Sequence, residues 1–335
     1  MTRILIDPAC NFYYSSFFIK GLFEKYGCKV KFSSKPFVSL FYTKHTHILA
    51  FVKIEGKTKT NYVIDFADAP TIENEFLDWC DVYGKINYRD GLGYSNKIVH
   101  CAPNCALKIW SKPVSGVISL LNYAKCYKRT VDFKSYLSWY LMTSKRRKDF
   151  NNTTSSDSNY IFLVGTLWQG QDKTNLQRIN FIRACKQLDY IHYEGGLLPD
   201  SKNVDEQNND VLLISSLGYE NYISKTNASA VVFNTPAFHL CHGWKLTEFL
   251  AMGKAIISTP FSNELPVPLV HGENIFFVSE DADEIKKAIV ELTTNNDLRT
   301  KIEKGAIDYY KKYVEPREAI KHLMTLILEN DYKSH

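Results

Sequence analysis

The feature that most constrains this chain is an alternation of short apolar runs with helical segments, which runs once, breaks, and starts again. It opens with RILID, a run of strand character. A polar-aromatic turn, PACNFYY, follows, then a helical pattern with apolar residues at Phe17, Phe18, Leu22 and Phe23, closed by Gly27. CKVKF returns as a strand, completing a β-α-β opening. HILAFVKI and NYVIDFAD read as two further strands around EGKTKT. TIENEFLDWCDVY reads as a helix capped by Thr71 with Glu73 in its first turn, and KIVHCAP as one more strand. From Ser115 to about Phe150 the pattern is helical and aromatic. Asn151–Asn159, NNTTSSDSN, holds no apolar residue and reads as a linker.

The rhythm then restarts. YIFLVG, DYIHYEGG, SAVVFNTP, AIISTP and NIFFVS read as strands. NLQRINFIRACKQL, GYENYISKTNA, KLTEFLAMG, ADEIKKAIVELTTN and DLRTKIEKGAIDYYKKYV read as helices, and a last helix starts near Pro316. Such alternation predicts an α/β fold with parallel sheets and helices on both faces. The expected domains are 1–150, a linker at 151–159, 160–315, and a terminal helix at 316–335. Two such domains place a cleft at the carboxyl ends of their sheets, where open α/β sheets bind ligands.

The 335 residues are enough for two cores, and 45% apolar with 23% charged residues is ordinary for a globular chain. A net charge of +5 is too mild for a dedicated nucleic-acid binder, and cations cluster only at Lys145–Lys148, so nucleic acid is not an expected partner. No apolar run reaches the roughly 18 residues of a membrane span. The start, MTRILIDPAC, lacks the layout of a signal peptide. Eight scattered cysteines without a CxxC pair predict reduced thiols, a cytoplasmic chain and no zinc site. In SKRRKDF four cations follow the aromatic-apolar YLSWYLM. That pattern suits an anionic membrane surface, and equally a solvated helix end.

Two charges stand out in GWKLTEFLAMGKAIISTP, Gly243–Pro260. On a helix from Lys245, the residues Leu246, Phe249, Leu250 and Gly253 form one stripe against a sheet. Lys245 and Glu248, three apart, share another face near the helix N-terminus. That end attracts an anion such as a diphosphate, and a carboxylate can take two hydroxyls of a sugar diol. The same spacing also suits an i,i+3 ion pair on a solvated face.

The stretch Ser229–Leu292 carries G-x-K-L-x-E-x-L-A-x-G-K-x-I-I, a turn ending in Pro, G-E-N-x-x-x-V and a trailing helix. It resembles the donor half of GT-B glycosyltransferases, in particular the large group 1 (family 4-like) family, over roughly Tyr160–Leu292. The resemblance implies two Rossmann-like domains facing across a cleft, the second holding a nucleotide-diphosphate sugar of UDP or GDP type. It implies a metal-independent transferase, with no other cofactor, that moves the sugar to a hydroxyl of a glycan or lipid-linked acceptor. Polysaccharide or glycoconjugate synthesis, in the cytoplasm or peripherally on the inner membrane face, is the implied setting.

Residue by residue, Glu248 matches the family glutamate that holds the donor ribose. Lys245 and the N–H groups around Trp244 would face the diphosphate, with Gly243 allowing close approach of the backbone. Thr166, Lys173 and Arg178, in VGTLWQGQDKTNLQR, are the further phosphate-side candidates, although Arg178 also suits a solvated helix face. Asn234 and Thr235 at a strand end suit the base, and Glu264 is expected at the cleft. On the acceptor side stand Asn11, Asp65 and Asp68; Asp68 and His242 are the catalytic candidates. The sequence departs from the pattern at Leu240, where many relatives carry a glutamate eight positions before the ribose one. His239 and His242 are the neighbouring polar groups. The departure leaves open retaining or inverting chemistry, a non-catalytic sugar-binding subunit, and a GT-B nucleotide-sugar epimerase.

Overall fold

A computed structural model describes residues 2–44, 46–150, 157–200, 206–213 and 215–333; residues 151–156 of the expected linker lie outside them. The chain divides into two compact units. The first comprises Met1–Asp149, Asn263–Val267 and Lys312–His335, and the second Phe150–Ser262 and Pro268–Lys311.

In the first unit β1 (Thr2–Ile6) leads into α1 (Phe12–Tyr26), and β2 (Val30–Phe32) returns parallel to β1. The next strand, β3 (Ile48–Glu55), runs antiparallel to β1, and β4 (Thr58–Asp65) runs antiparallel to β3. After α2 (Asn74–Trp79), β5 (Val82–Lys85) and β6 (Ile98–His100) continue in parallel, giving the order β2-β1-β3-β4-β5-β6. The sheet is therefore mixed, not wholly parallel as the alternation predicts. The reason lies in EGKTKT. Most of it is strand, and only Gly56 and Lys57 join β3 to β4, with Glu55 paired to Thr58. Two residues can close a hairpin but not a parallel crossover, and Gly56 supplies the positive φ of 60° that the turn requires.

The predicted helix TIENEFLDWCDVY is shorter at both ends. Its N-cap is Glu73, not Thr71. It stops at Trp79 because Asp81 donates its N–H to Asn61 O at 2.9 Å and Val82 joins Tyr62 in the sheet. The unit adds α3 (Lys112–Cys126) and α4 (Phe133–Ser144).

In the second unit β7 (Tyr160–Leu167), α5 (Asp172–Lys186) and β8 (His192–Pro199) form one β-α-β repeat. Then come α6 (Tyr219–Ala228), β9 (Val231–Asn234), α7 (Trp244–Ala251), β10 (Ala255–Ser258), β11 (Phe276–Phe277), α8 (Ala282–Thr294) and α9 (Asn296–Tyr309). Every strand pairing found here is parallel. Both sides of these strands are apolar, as a sheet covered by helices requires: Val231, Phe233, Ile257 and Leu197 are buried with Phe181 and Ile182 of α5 and Ile285 and Ile289 of α8. Phe181 stacks on Phe233 at 4.4 Å.

The last helix, α10 (Pro316–Lys333), belongs to the first unit and packs on α1. The approach is close because Gly21 has no side chain: a Cβ there would stand 2.1 Å from Pro316 O. Gly21→Ala is expected to cost about 1–3 kcal/mol as an overpacking change. Melting together with limited proteolysis checks this. Earlier release of a C-terminal peptide is expected, and an unchanged cleavage pattern would show that α10 is not held there. Among the described residues no helix is long and apolar enough to cross a membrane.

Candidate functional site

In the second unit a cavity of about 190 Å³ opens at the carboxyl ends of β7 and β9, against the first turn of α7. Ligands of α/β sheets bind at this end because loops and helix N-termini gather there. Seven of the residues singled out from the sequence line it: Thr166, Arg178, Asn234, Thr235, Gly243, Trp244 and Lys245. Glu248 does not; it lies one turn further along α7.

Two cations set the electrostatics. Arg178, on α5, donates from Nη1 to Thr166 O at 2.7 Å and from Nε to Thr235 Oγ1 at 3.1 Å. It faces inward, so the solvated-face alternative does not hold. Lys245 donates from Nζ to Val164 O and lies 5.9 Å from the Tyr222 ring. Among the described residues neither cation forms an ion pair. Burial, and then the like charge of Arg178, push the Lys245 ammonium down to about 7, while Glu248 works in the opposite direction. Burial also lowers Arg178, to about 10. Two partly desolvated basic groups, with Glu248 as the acidic group acting on Lys245, form an arrangement that an anionic ligand would stabilise.

Glu248 is buried, which rules out the exposed ion-pair reading of its spacing to Lys245. It accepts hydrogen bonds from Tyr222 Oη at 3.0 Å and Tyr219 Oη at 3.4 Å. The tyrosines sit three apart on α6. That i,i+3 pair is visible in GYENYISK but nothing in the sequence says what it faces. Trp168 also lines the cavity and packs at 5.8 Å on Phe238; sequence reading had not singled it out.

The other sequence candidates have varied surroundings. Gly243 has an ordinary φ of −73°, and a Cβ there would meet only Ala237 Cβ at 3.4 Å, so the fold by itself does not demand glycine at this position. Lys173 is 65% exposed and pairs with Glu280 at 2.5 Å, away from the cavity lining. Asn234 lines the cavity but spends its amide on Ser258 Oγ at 3.0 Å. Glu264 belongs to the first unit, where its N–H donates to Tyr88 O at 2.8 Å and its carboxylate lies 3.8 Å from His100.

Of the candidates expected on an acceptor side, Asn11 is the N-cap of α1, accepting from the N–H groups of Tyr13 at 3.0 Å and Tyr14 at 3.3 Å. Asp65 has no exposure and accepts from Tyr83 Oη at 2.6 Å, Ala67 N at 2.8 Å and Lys85 Nζ at 2.9 Å. It is a buried ion-pair partner and presents no surface to a substrate. Asp68 is exposed on the loop that follows.

The loop between β9 and α7 is bent sharply. His239 and Leu240 both have left-handed backbones, with φ of 54° and 63°. Each such residue costs on the order of 1 kcal/mol for a side chain with a Cβ. The turn is tied by Leu240 N to Ala237 O at 3.0 Å and Ala237 N to Cys241 O at 2.9 Å. His242 follows, edge-on to Phe261 at 5.3 Å. Among the described residues no group of three or more His, Cys, Asp or Glu side chains could hold a metal.

No family model matches the chain, and no curated protein matches it. Solved structures do. One is the C-terminal domain of a group 1 glycosyltransferase (LpcC) from Francisella tularensis, 15% identical, covering 47% of this chain and 85% of that one, with a TM-score of 0.34. A glycosyltransferase from Rickettsia africae is 12% identical over 78% of this chain and 68% of that one, TM-score 0.42. Glycosyltransferases lead the similar structures. A UDP-GlcNAc 2-epimerase from Neisseria meningitidis, bound to UDP-GlcNAc, also matches, 12% identical over 78% of this chain and 63% of that one, TM-score 0.39. The chain is α/β, with a mixed sheet in the first unit and parallel strands in the second.

Proposed function

We propose that this chain is a glycosyltransferase that moves a sugar from a nucleotide-diphosphate sugar to a hydroxyl of a glycan or lipid-linked acceptor in cell-surface polysaccharide or glycoconjugate synthesis. One observation carries the reading: two half-buried basic side chains, Arg178 and Lys245, which form no ion pair among the described residues, line a cavity at the head of α7. A diphosphate supplies the opposite charge, and the N–H groups of the first helical turn add donors. Glu248, oriented by Tyr219 and Tyr222, takes the ribose hydroxyls, and Trp168 offers an aromatic face. When the sugar–phosphate bond breaks, negative charge grows on the departing diphosphate, and Arg178 and Lys245 stabilise it in place without a metal. The acceptor and any base remain with the first unit, where Asp68 and Glu264 are the exposed carboxylates among the sequence candidates.

Thermal shift with UDP, GDP, CMP and ADP tests the reading. One nucleotide is expected to raise the melting temperature, with about 2.7 kcal/mol of stabilisation at a hundredfold excess over its dissociation constant. Glu248→Ala should abolish that shift. No shift with any nucleotide would sink the donor assignment. Free nucleotide released together with an elongated acceptor separates transfer from epimerisation.

A further inference from the structure

The structure assigns the outer face of α3 as a docking surface for an anionic lipid bilayer. The helix is amphipathic in the inverse sense. Its buried residues are Ser115, Ser119, Asn122 and Cys126, whereas Val114, Val117, Leu120, Leu121 and, just beyond, Tyr127 are exposed. Val117, Leu120 and Leu121 are each 57% exposed. They follow the i, i+3, i+4 spacing of one stripe, the pattern that normally faces a core. The polar inward face is held to α4 through Asn122, while the Ser119 hydroxyl is satisfied within α3 itself. Asn122 Nδ2 donates to Tyr140 Oη on α4 at 3.2 Å, and Ser119 Oγ donates to Gly116 O at 2.7 Å. The helix cannot simply turn over, and its apolar stripe is left to water. A soluble chain rarely exposes such a stripe unless something covers it.

The charge says what covers it. Residues 91–148 carry 11 Lys and Arg and one acidic residue, Asp132, a net +10 in a chain of net +5, although Arg129 among them is buried and paired with Asp7 and adds nothing to the surface. The remainder of the chain is therefore −5, by subtraction of +10 from +5. Lys112, Lys125 and Lys128 flank the stripe and are exposed, as are Lys145 and Lys148 after α4. Arg146 of that run is engaged, donating from Nε to Tyr13 Oη at 2.9 Å. A second copy of the chain would bring like charges together, and a nucleic acid has no use for the apolar stripe. An apolar stripe rimmed by lysines fits headgroups of negative charge over acyl chains. The helix lies in the interface plane; it does not span.

Sedimentation of the full chain with vesicles tests this, using phosphatidylcholine alone and phosphatidylcholine mixed with phosphatidylglycerol. Binding to the mixed vesicles is expected, with weak binding to the neutral ones and loss at high salt. Leu121→Glu, and separately the pair Lys125→Glu with Lys128→Glu, should each lower partitioning about tenfold or more. These positions are exposed, and melting confirms that the variants fold. Equal binding to neutral vesicles, or binding untouched by either variant, overturns the proposal. So does a wild-type dimer in sedimentation velocity that Leu121→Glu dissolves while no vesicle binding is seen. The proposal does not rest on the transferase reading. The vesicles contain neither nucleotide nor acceptor, so a negative result here and a negative nucleotide shift are separate outcomes.

Discussion

Lys85→Met is expected to lower the stability of the chain by about 3–5 kcal/mol. Lys85 Nζ lies 2.9 Å from Asp65, and both side chains are fully buried. Removing the ammonium leaves the Asp65 carboxylate with only Tyr83 and a backbone N–H, in a place where water cannot reach it. Urea unfolding followed by the fluorescence of the tryptophans measures the loss. Replacing both partners, Lys85→Met with Asp65→Leu, should recover most of it, since a buried pair exchanged for apolar groups is often near neutral. A single substitution costing less than about 1 kcal/mol, the range of an exposed pair, would show that the site is wetter than its burial implies.

Nucleotide affinity is expected to fall as pH rises above about 7, by up to tenfold per pH unit. The sign follows from Lys245. Burial holds its ammonium at about 7, so the cation that attracts a diphosphate is present below that value and lost above it. Binding an anion restores the proton. Calorimetry in buffers of different ionisation enthalpy should therefore show proton uptake on binding near pH 8. Lys245→Arg keeps the charge and should flatten the profile, while Lys245→Met should weaken binding most below about 7 and converge with the wild type as pH rises. A pH-independent affinity in the wild type would remove Lys245 from the site. The same depression acts on stability in the opposite direction. Between about 7 and the ordinary lysine value of 10.5 the unfolded chain holds the proton more tightly, so this group's contribution to stability rises with pH across that window.

Much of the architecture was legible because apolar periodicity is a local property. The strand-helix alternation of the second unit appears element for element, from β7 to α9. Of the cavity lining, Thr235 at a strand end and Lys245 at a helix start were accessible from local pattern, because strand ends in such folds converge, whereas Thr166, Arg178 and Trp244 came from the family resemblance. Where a connection was too short for a crossover, as at Gly56 and Lys57, the antiparallel course of β3 was also readable, but only by counting the turn and not the alternation.

What the sequence determined by itself is therefore the class of fold, the position of the loops, and the one charged loop-helix junction at the head of α7. The tertiary structure alone decided what each polar residue does. Asp65 meets Lys85 across 20 residues, Arg178 reaches Thr235 across 57, and Asp7 is gripped by Arg129 across 122. The physical reason is range. Periodicity assigns a side chain to a face, but whether a charge on that face is paired, desolvated or free depends on groups that only folding brings within about 3 Å. The same holds for α3, whose stripe reads as a core face in sequence and stands in the open because Asn122 finds its partner on α4.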